Sequence, residues 1–229
     1  MKRTLITVLC VILALSLLSM ACSKKKSTTS PSAPTNTPGV VNSPTVTPTA
    51  VQELAVLDFS TSSQATGWTV SDYICCEDGF TAVNYDSTAG DGHNGSTGCL
   101  SVTANFVPGT LTYTAEGAIQ YSWGTANPVN LTNQTLICWV NIPAALATGL
   151  FGLQISINTG AGYTYADGGW HSITTSGWQS FTWDLATNPP TVTGIDTTSV
   201  DKINFQITDS TATDTTTGVQ TVYFDDISY

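Results

Sequence analysis

Two adjacent carboxylates, Asp225 and Asp226, interrupt an otherwise apolar and aromatic run, TVYFDDISY, at residues 221–229. Strands seldom carry aspartate, and a carboxylate turned toward a core is costly unless something pairs with it. Period-two alternation puts Tyr223, Asp225, Ile227 and Tyr229 on one face and Val222, Phe224 and Asp226 on the other, so one carboxylate points inward. The usual partner is scarce, because Lys202 is the only basic residue in 53–229. A hard cation with oxygen ligands is the remaining way to hold such a charge, and it points to calcium. The alternative is an exposed pair that guards an edge strand against aggregation.

Aromatic residues are the second group with a chemical message. Sugar rings present apolar C–H patches that stack on aromatic faces, while amides and carboxylates nearby read the hydroxyls. Trp139 stands opposite the apolar set Leu136, Cys138 and Val140, and Gln154 stands opposite Phe151, Leu153 and Ile155. Trp123, Tyr163, Tyr165 and Trp170 lie in neighbouring segments, three of them inside YTYADGGWH at 163–171. These six residues are the expected sugar platform, against the alternative that they fill the core and cover sheet edges. Trp68, Trp178 and Trp183 are expected in the core, since each sits beside a turn and starts or lines a strand.

Catalysis would need more. A glycosidase uses two positioned carboxyl groups. The only glutamates of the domain, Glu53, Glu77 and Glu116, do not form a closely spaced acidic strand motif. Asp167 and Asp184 remain as a candidate pair. His93 and His171 have no nucleophile elbow to serve. Binding without catalysis is therefore the expectation.

The elements that must position these residues are strands. CLSVTANF (99–106) and FGLQISI (151–157) alternate with period two; TLICWVNI (135–142) is apolar almost throughout. Further strand-like runs lie at 54–59, 80–85, 110–115, 118–123, 178–185, 200–207 and 219–229. Turn residues separate them, and no capped helical stretch appears. Such a chain folds as an all-β, antiparallel sandwich. Residues 53–229 hold all 16 acidic residues of the chain. Sixteen carboxylates against one ammonium leave a charge of −15, which excludes nucleic acid and disfavours densely anionic polymers. Cys75 or Cys76 could reach Cys99, Cys76–Cys99 being the candidate disulfide, while Cys138 reads as a small buried hydrophobe.

Upstream, residues 1–21 show a basic start, a short apolar stretch and small residues before Cys22, the pattern of a secretory signal. The cysteine that follows Ala21 makes this segment resemble a bacterial lipoprotein signal, which implies lipidation of Cys22. Residues 22–52 are dominated by Ser, Thr and Pro and read as a linker too polar to pack a core.

The order of LDFSTSSQATGW, GCLSVTANF, LTNQTLICWVNIP, SGWQSFTWDL and VDKINFQI, ending in VYFDDISY, resembles the β-sandwich carbohydrate-binding modules attached to plant-polysaccharide hydrolases. That resemblance implies a jelly roll of the galactose-binding-like kind and non-catalytic binding of polysaccharide. It also implies a structural calcium, held by Asp225 or Asp226 with Asp58 and the glycine-rich loop 90–98 that contains Asp91. Ser60 departs from the pattern, since an acid often stands there. The combined expectation is a monomer, exported and lipid-anchored to a bacterial cell envelope. It would bind a neutral plant- or microbe-derived polysaccharide at the cell surface. A jelly-roll glycoside hydrolase and a structural surface protein or adhesin are the alternatives.

Overall fold

The computed structural model describes residues 56–71, 79–88, 90–106, 116–209 and 218–229. Cys22, the linker, the cysteines at 75 and 76 and the strand expected at 110–115 lie outside them. The described residues contain twelve strands, three short 3-10 turns and no α-helix. In chain order the strands are β1 (Val56–Leu57), β2 (Trp68–Val70), β3 (Phe80–Asp86), β4 (Cys99–Ala104), β5 (Glu116–Ser122) and β6 (Thr135–Ile142). Then come β7 (Phe151–Thr159), β8 (Thr164–Asp167), β9 (His171–Ser172), β10 (Gly177–Asp184), β11 (Val200–Asp209) and β12 (Gln220–Ser228).

All pairings are antiparallel and build two six-stranded sheets. The first runs β10–β6–β12–β4–β3, with β1 also on β12; the second runs β2–β5–β11–β7–β8, with β9 also on β7. Alternation explains the layering. Leu100, Val102, Leu136, Cys138 and Val140 of the first sheet are fully buried, as are Leu153, Ile157, Ile203, Phe205 and Ile207 of the second. A strand with one apolar face must cover it, and two such sheets cover each other. Phe205 and Phe224 meet across the layers at 6.3 Å, and Trp68 stacks on Phe205 at 5.9 Å. The all-β sandwich read from the sequence is the observed fold.

One expectation fails locally. Alternation along β12 breaks at Asp226, which adopts φ 43°, and the pairing with β6 shifts between Asp225 and Ser228. This is a β-bulge, in which one extra residue resets the faces. Phe224 and Asp225 are consequently both buried, and Ile227 joins the core instead of sharing a face with Asp225. Aspartate is one of the few residues that enter the left-handed region readily, so the second aspartate is what lets the strand bulge. Cys99 carries a free, fully buried thiol, and Cys76, its candidate disulfide partner, lies outside the described residues. The thiol sits near Asp86, Asp225 and Asp91. Burial, then these carboxylates, push its pKa up to about 12.

Candidate functional site

The outer face of the second sheet is polar. Lys202, Asn204 and Gln206 alternate with the buried Ile203 and Phe205 along β11. Asn204 lies between Gln120 of β5 and Ser156 of β7, and Lys202 lies in register with Asn158 of β7. Tyr165 of β8 follows opposite Asn158. Together with Ser71 and Tyr163, these side chains line a groove of about 210 Å³. The groove floor is cross-linked: the Asn204 amide donates to Ser156 Oγ at 3.2 Å and to Asn158 Oδ1 at 2.9 Å. Ser71 Oγ donates to Gln120 Oε1 at 3.4 Å, and Gln206 donates to Thr208 Oγ1 at 3.0 Å. Amides held by one another need little reordering when a ligand arrives.

Aromatic rings edge this floor. Tyr163, Tyr165 and Trp170 are the exposed aromatic residues among those described, at 55%, 36% and 41%. Tyr163 closes the turn between β7 and β8 with φ 50°, its N–H donating to Gly160 O at 2.9 Å. A bulky residue in the left-handed region is uncommon, and such positions concentrate at ligand clamps. Trp170 lies against β7 at Gly152, where a Cβ would run into the indole ring. Glycine at 152 is therefore what allows the ring to rest on the sheet. Burial, then Asp167, push the Tyr165 phenol up to about 12, so it stays a hydrogen-bond donor at any ordinary pH. From Asn158 to Gly152 the face extends for about 20 Å at strand rise, a length suited to a chain of sugars.

The six residues expected as one platform are thus divided. Gln154, Tyr163, Tyr165 and Trp170 share the outer face of the second sheet. Trp123 instead packs edge-on against Tyr121 and Tyr229, at 5.3 and 5.0 Å, beside the core. Trp139 lies on the first sheet, where the His93 ring stacks on it at 3.8 Å and 19°. Trp178, expected in the core, is only half-buried and tilts against His93 at 5.3 Å. Sequence reasoning missed Gln120, Asn158, Lys202, Asn204 and Gln206. The signal was present, since Lys202, Asn204 and Gln206 alternate in VDKINFQI. The candidate carboxylate pair is divided between the sheets: Asp167 is on the second and Asp184 on the first. None of the groove-lining residues is a carboxylate.

The aspartate pair is held by hydrogen bonds. Asp225 Oδ2 accepts from His93 N at 2.8 Å and from Ser96 Oγ at 2.6 Å; its Oδ1 accepts from Asp226 N at 2.8 Å. Asp226 Oδ2 lies 2.7 Å from His93 Nδ1. Loop 90–98 therefore packs onto the first sheet through His93, covering Trp139. Burial still wins over the three donors and raises the Asp225 carboxyl above its ordinary 3.8. This donor set does not fit a cation, which needs lone pairs turned toward it. Asp58 accepts from Ser60 N within its own turn, at 3.1 Å, and Asp91 stands near the Tyr223 hydroxyl. Among the described residues, no three His, Cys, Asp or Glu side chains gather as a metal-ion site.

The sequence matches no family profile and no curated protein. Solved structures do share the fold. One, from work on the promiscuous specificity of carbohydrate-binding modules of the β-sandwich superfamily, aligns at TM-score 0.50 and 16% identity. That alignment covers 75% of this chain and 59% of the other, so this chain spans little more than half of that protein's length. Another is the Caldicellulosiruptor saccharolyticus module CBM27-1 in complex with mannohexaose, at TM-score 0.52 and 12% identity, covering 76% of this chain and 95% of that one. At these identities the likeness is one of fold: the structural neighbours are β-sandwich carbohydrate-binding modules.

Proposed function

We propose that this protein binds a neutral polysaccharide, without cleaving it, along the outer face of its second sheet. The observation that carries this reading is the coincidence of every exposed aromatic among the described residues with one polar sheet face. Rings at the edge supply stacking area; the amides of the floor give direction, because hydrogen bonds to sugar hydroxyls largely exchange with water. A groove lining without carboxylates among the described residues lacks the acid pair that glycosidases ordinarily use, which favours binding over hydrolysis. Mannohexaose in the similar CBM27-1 module supports a β-linked glycan of several residues as the ligand. Export and a lipid anchor at Cys22 belong to the same reading, with the linker holding the domain away from the bacterial envelope; the support for this part is the sequence pattern alone. The structural calcium that the resemblance implies is not part of this reading, because Asp225 is held by N–H and O–H donors.

Affinity electrophoresis of the full chain in gels that contain glucan, mannan or xylan tests the reading, with a reducing-sugar assay beside it. Retardation without new reducing ends is the expected result. New reducing ends would establish the hydrolase alternative. Neither retardation nor hydrolysis would leave a structural surface protein. For the anchor, Cys22→Ala expressed in a bacterial host is expected to leave the membrane fraction; retention there would refute lipidation.

A further inference from the structure

The single cation of residues 53–229 lies inside the groove. Among the described residues Lys202 lines it and no carboxylate does, so this lining carries one positive charge in a domain of sixteen acids. In so acidic a domain an ammonium would ordinarily meet a carboxylate. Among the described residues the one ion pair is His93–Asp226, on the other sheet, and no carboxylate lies within 4 Å of Lys202. Its Nζ instead sits 4.9 Å from the centre of the Tyr163 ring. An aromatic face attracts the charge but satisfies none of the three N–H donors in the way a carboxylate would.

Asp201, beside Lys202 at the bulge of β11, is buried and does not line the groove; of the other described acids the nearest on the same sheet face is Asp167, one pairing further along and two strands away. Strand geometry puts the Cα positions of Lys202 and Asp167 roughly 12 Å apart. Such a distance exceeds the screening length of about 8 Å at physiological salt. Asp167 is also occupied, accepting from Gly169 N at 2.9 Å and standing beside Tyr165. The groove is thus locally positive over the span of about one sugar residue, and the rest of the domain is negative.

Resting on the polysaccharide-binding reading above, we infer that the preferred ligand is an uncharged glycan backbone that carries isolated carboxylates, such as uronic acid side groups. One carboxylate pairs with Lys202 beside Tyr163 while the neutral backbone lies over the amide floor. A polymer charged at every residue meets the acidic surroundings and is rejected, so Lys202 selects for sparse rather than dense charge.

The probes are glucuronoxylan, the same polymer after reduction of its carboxylates to alcohols, and polygalacturonate, each run against the full chain by affinity electrophoresis. The native polymer is expected to bind about tenfold tighter than the reduced one, the scale of a hydrogen-bonded charged group. Lys202→Gln should abolish the difference between the native and the reduced polymer, with the melting temperature as the control for folding. Equal binding of the native and reduced forms overturns the inference and leaves the neutral-glycan reading standing. So does a difference that survives in Lys202→Gln, or binding to neutral mannan or glucan alone. Tightest binding to polygalacturonate overturns the preference for sparse charge. Binding to no polysaccharide overturns both readings.

Discussion

Replacing Asp225 by alanine tests the account of the buried carboxylate. Asp225 is fully buried and accepts three hydrogen bonds, from His93 N, Ser96 Oγ and Asp226 N. Each bond to a charged acceptor contributes about 1.5–3 kcal/mol net. Alanine removes all three, but it also relieves the cost of burying the charge. Ser96 Oγ keeps Gly98 O at 3.0 Å, whereas the two backbone N–H groups lose their partner. The expected loss is about 3–5 kcal/mol, because each of the two stranded N–H groups costs about 1–3 kcal/mol. For a domain of this size that lowers the melting temperature by about 6–20 °C. Asp225→Asn keeps two donors on its carbonyl oxygen and turns an N–H toward Asp226 N–H, so it should cost less, about 1–3 kcal/mol. Urea unfolding followed by tryptophan fluorescence measures both. Because the native carboxyl titrates above 3.8, the folded state holds its proton more tightly than the unfolded chain does. This contribution is full below pH 3.8 and is lost as pH rises through the raised value. The advantage of wild type over Asp225→Asn should therefore grow as pH falls. An alanine variant within about 1 kcal/mol of wild type, or an advantage that shrinks in acid, would refute the account.

The split of the aromatic residues predicts opposite phenotypes. Trp170→Ala should weaken polysaccharide binding by about tenfold or more, about 1.4 kcal/mol, with little change in stability, whereas Trp139→Ala should cost about 2 kcal/mol of stability with unchanged affinity, since its ring supports His93. Calorimetric titration and thermal melts distinguish the two. Chelation of divalent ions from a purified sample should leave the melting temperature unchanged; a drop restored by calcium would show that the aspartates hold a cation after all. Cys99 should resist thiol reagents in the native state and react in denaturant, as read by peptide mapping. Its pKa of about 12 against an ordinary 9.0 means that its contribution to stability is full below pH 9.0 and lost as pH rises toward 12, so Cys99→Ala should flatten the alkaline decline in stability.

The layers of this fold were legible because one-face burial leaves a period of two. Thr135–Ile142 is a strand with the bounds read from TLICWVNI, and Leu136, Cys138 and Val140 face inward as expected. Periodicity does not say which sheet a strand joins. Trp139 and Tyr165 both stand on outward positions, yet they belong to opposite sheets, so a platform assembled by alternation alone merged two faces. The bulge at Asp226 was equally hidden, because a single residue at positive φ leaves no repeat in the sequence. Counting side-chain cations as the only partners for a buried carboxylate pointed to a metal ion; the hydrogen bonds to Asp225 come from two backbone N–H groups and a hydroxyl, which composition cannot reveal. The amide floor was readable in Lys202, Asn204 and Gln206, but polar alternation looks the same on any solvated sheet until the register with Gln120 and Asn158 is known.

The pairing of β1 with β12 has a practical consequence for handling the molecule. Val56 lies opposite Ser228 in the first sheet, and the groove opens on the second. The first and last described strands, β1 and β12, thus lie in the sheet that does not carry the groove. A sensor surface, a fluorophore or a fused enzyme coupled before Val56 or after Tyr229 would leave the groove unobstructed, and a long polymer could run past in both directions without threading between the domain and its attachment point. Loops at the rim, above all the turn that carries Tyr163, are where a coupling would interfere.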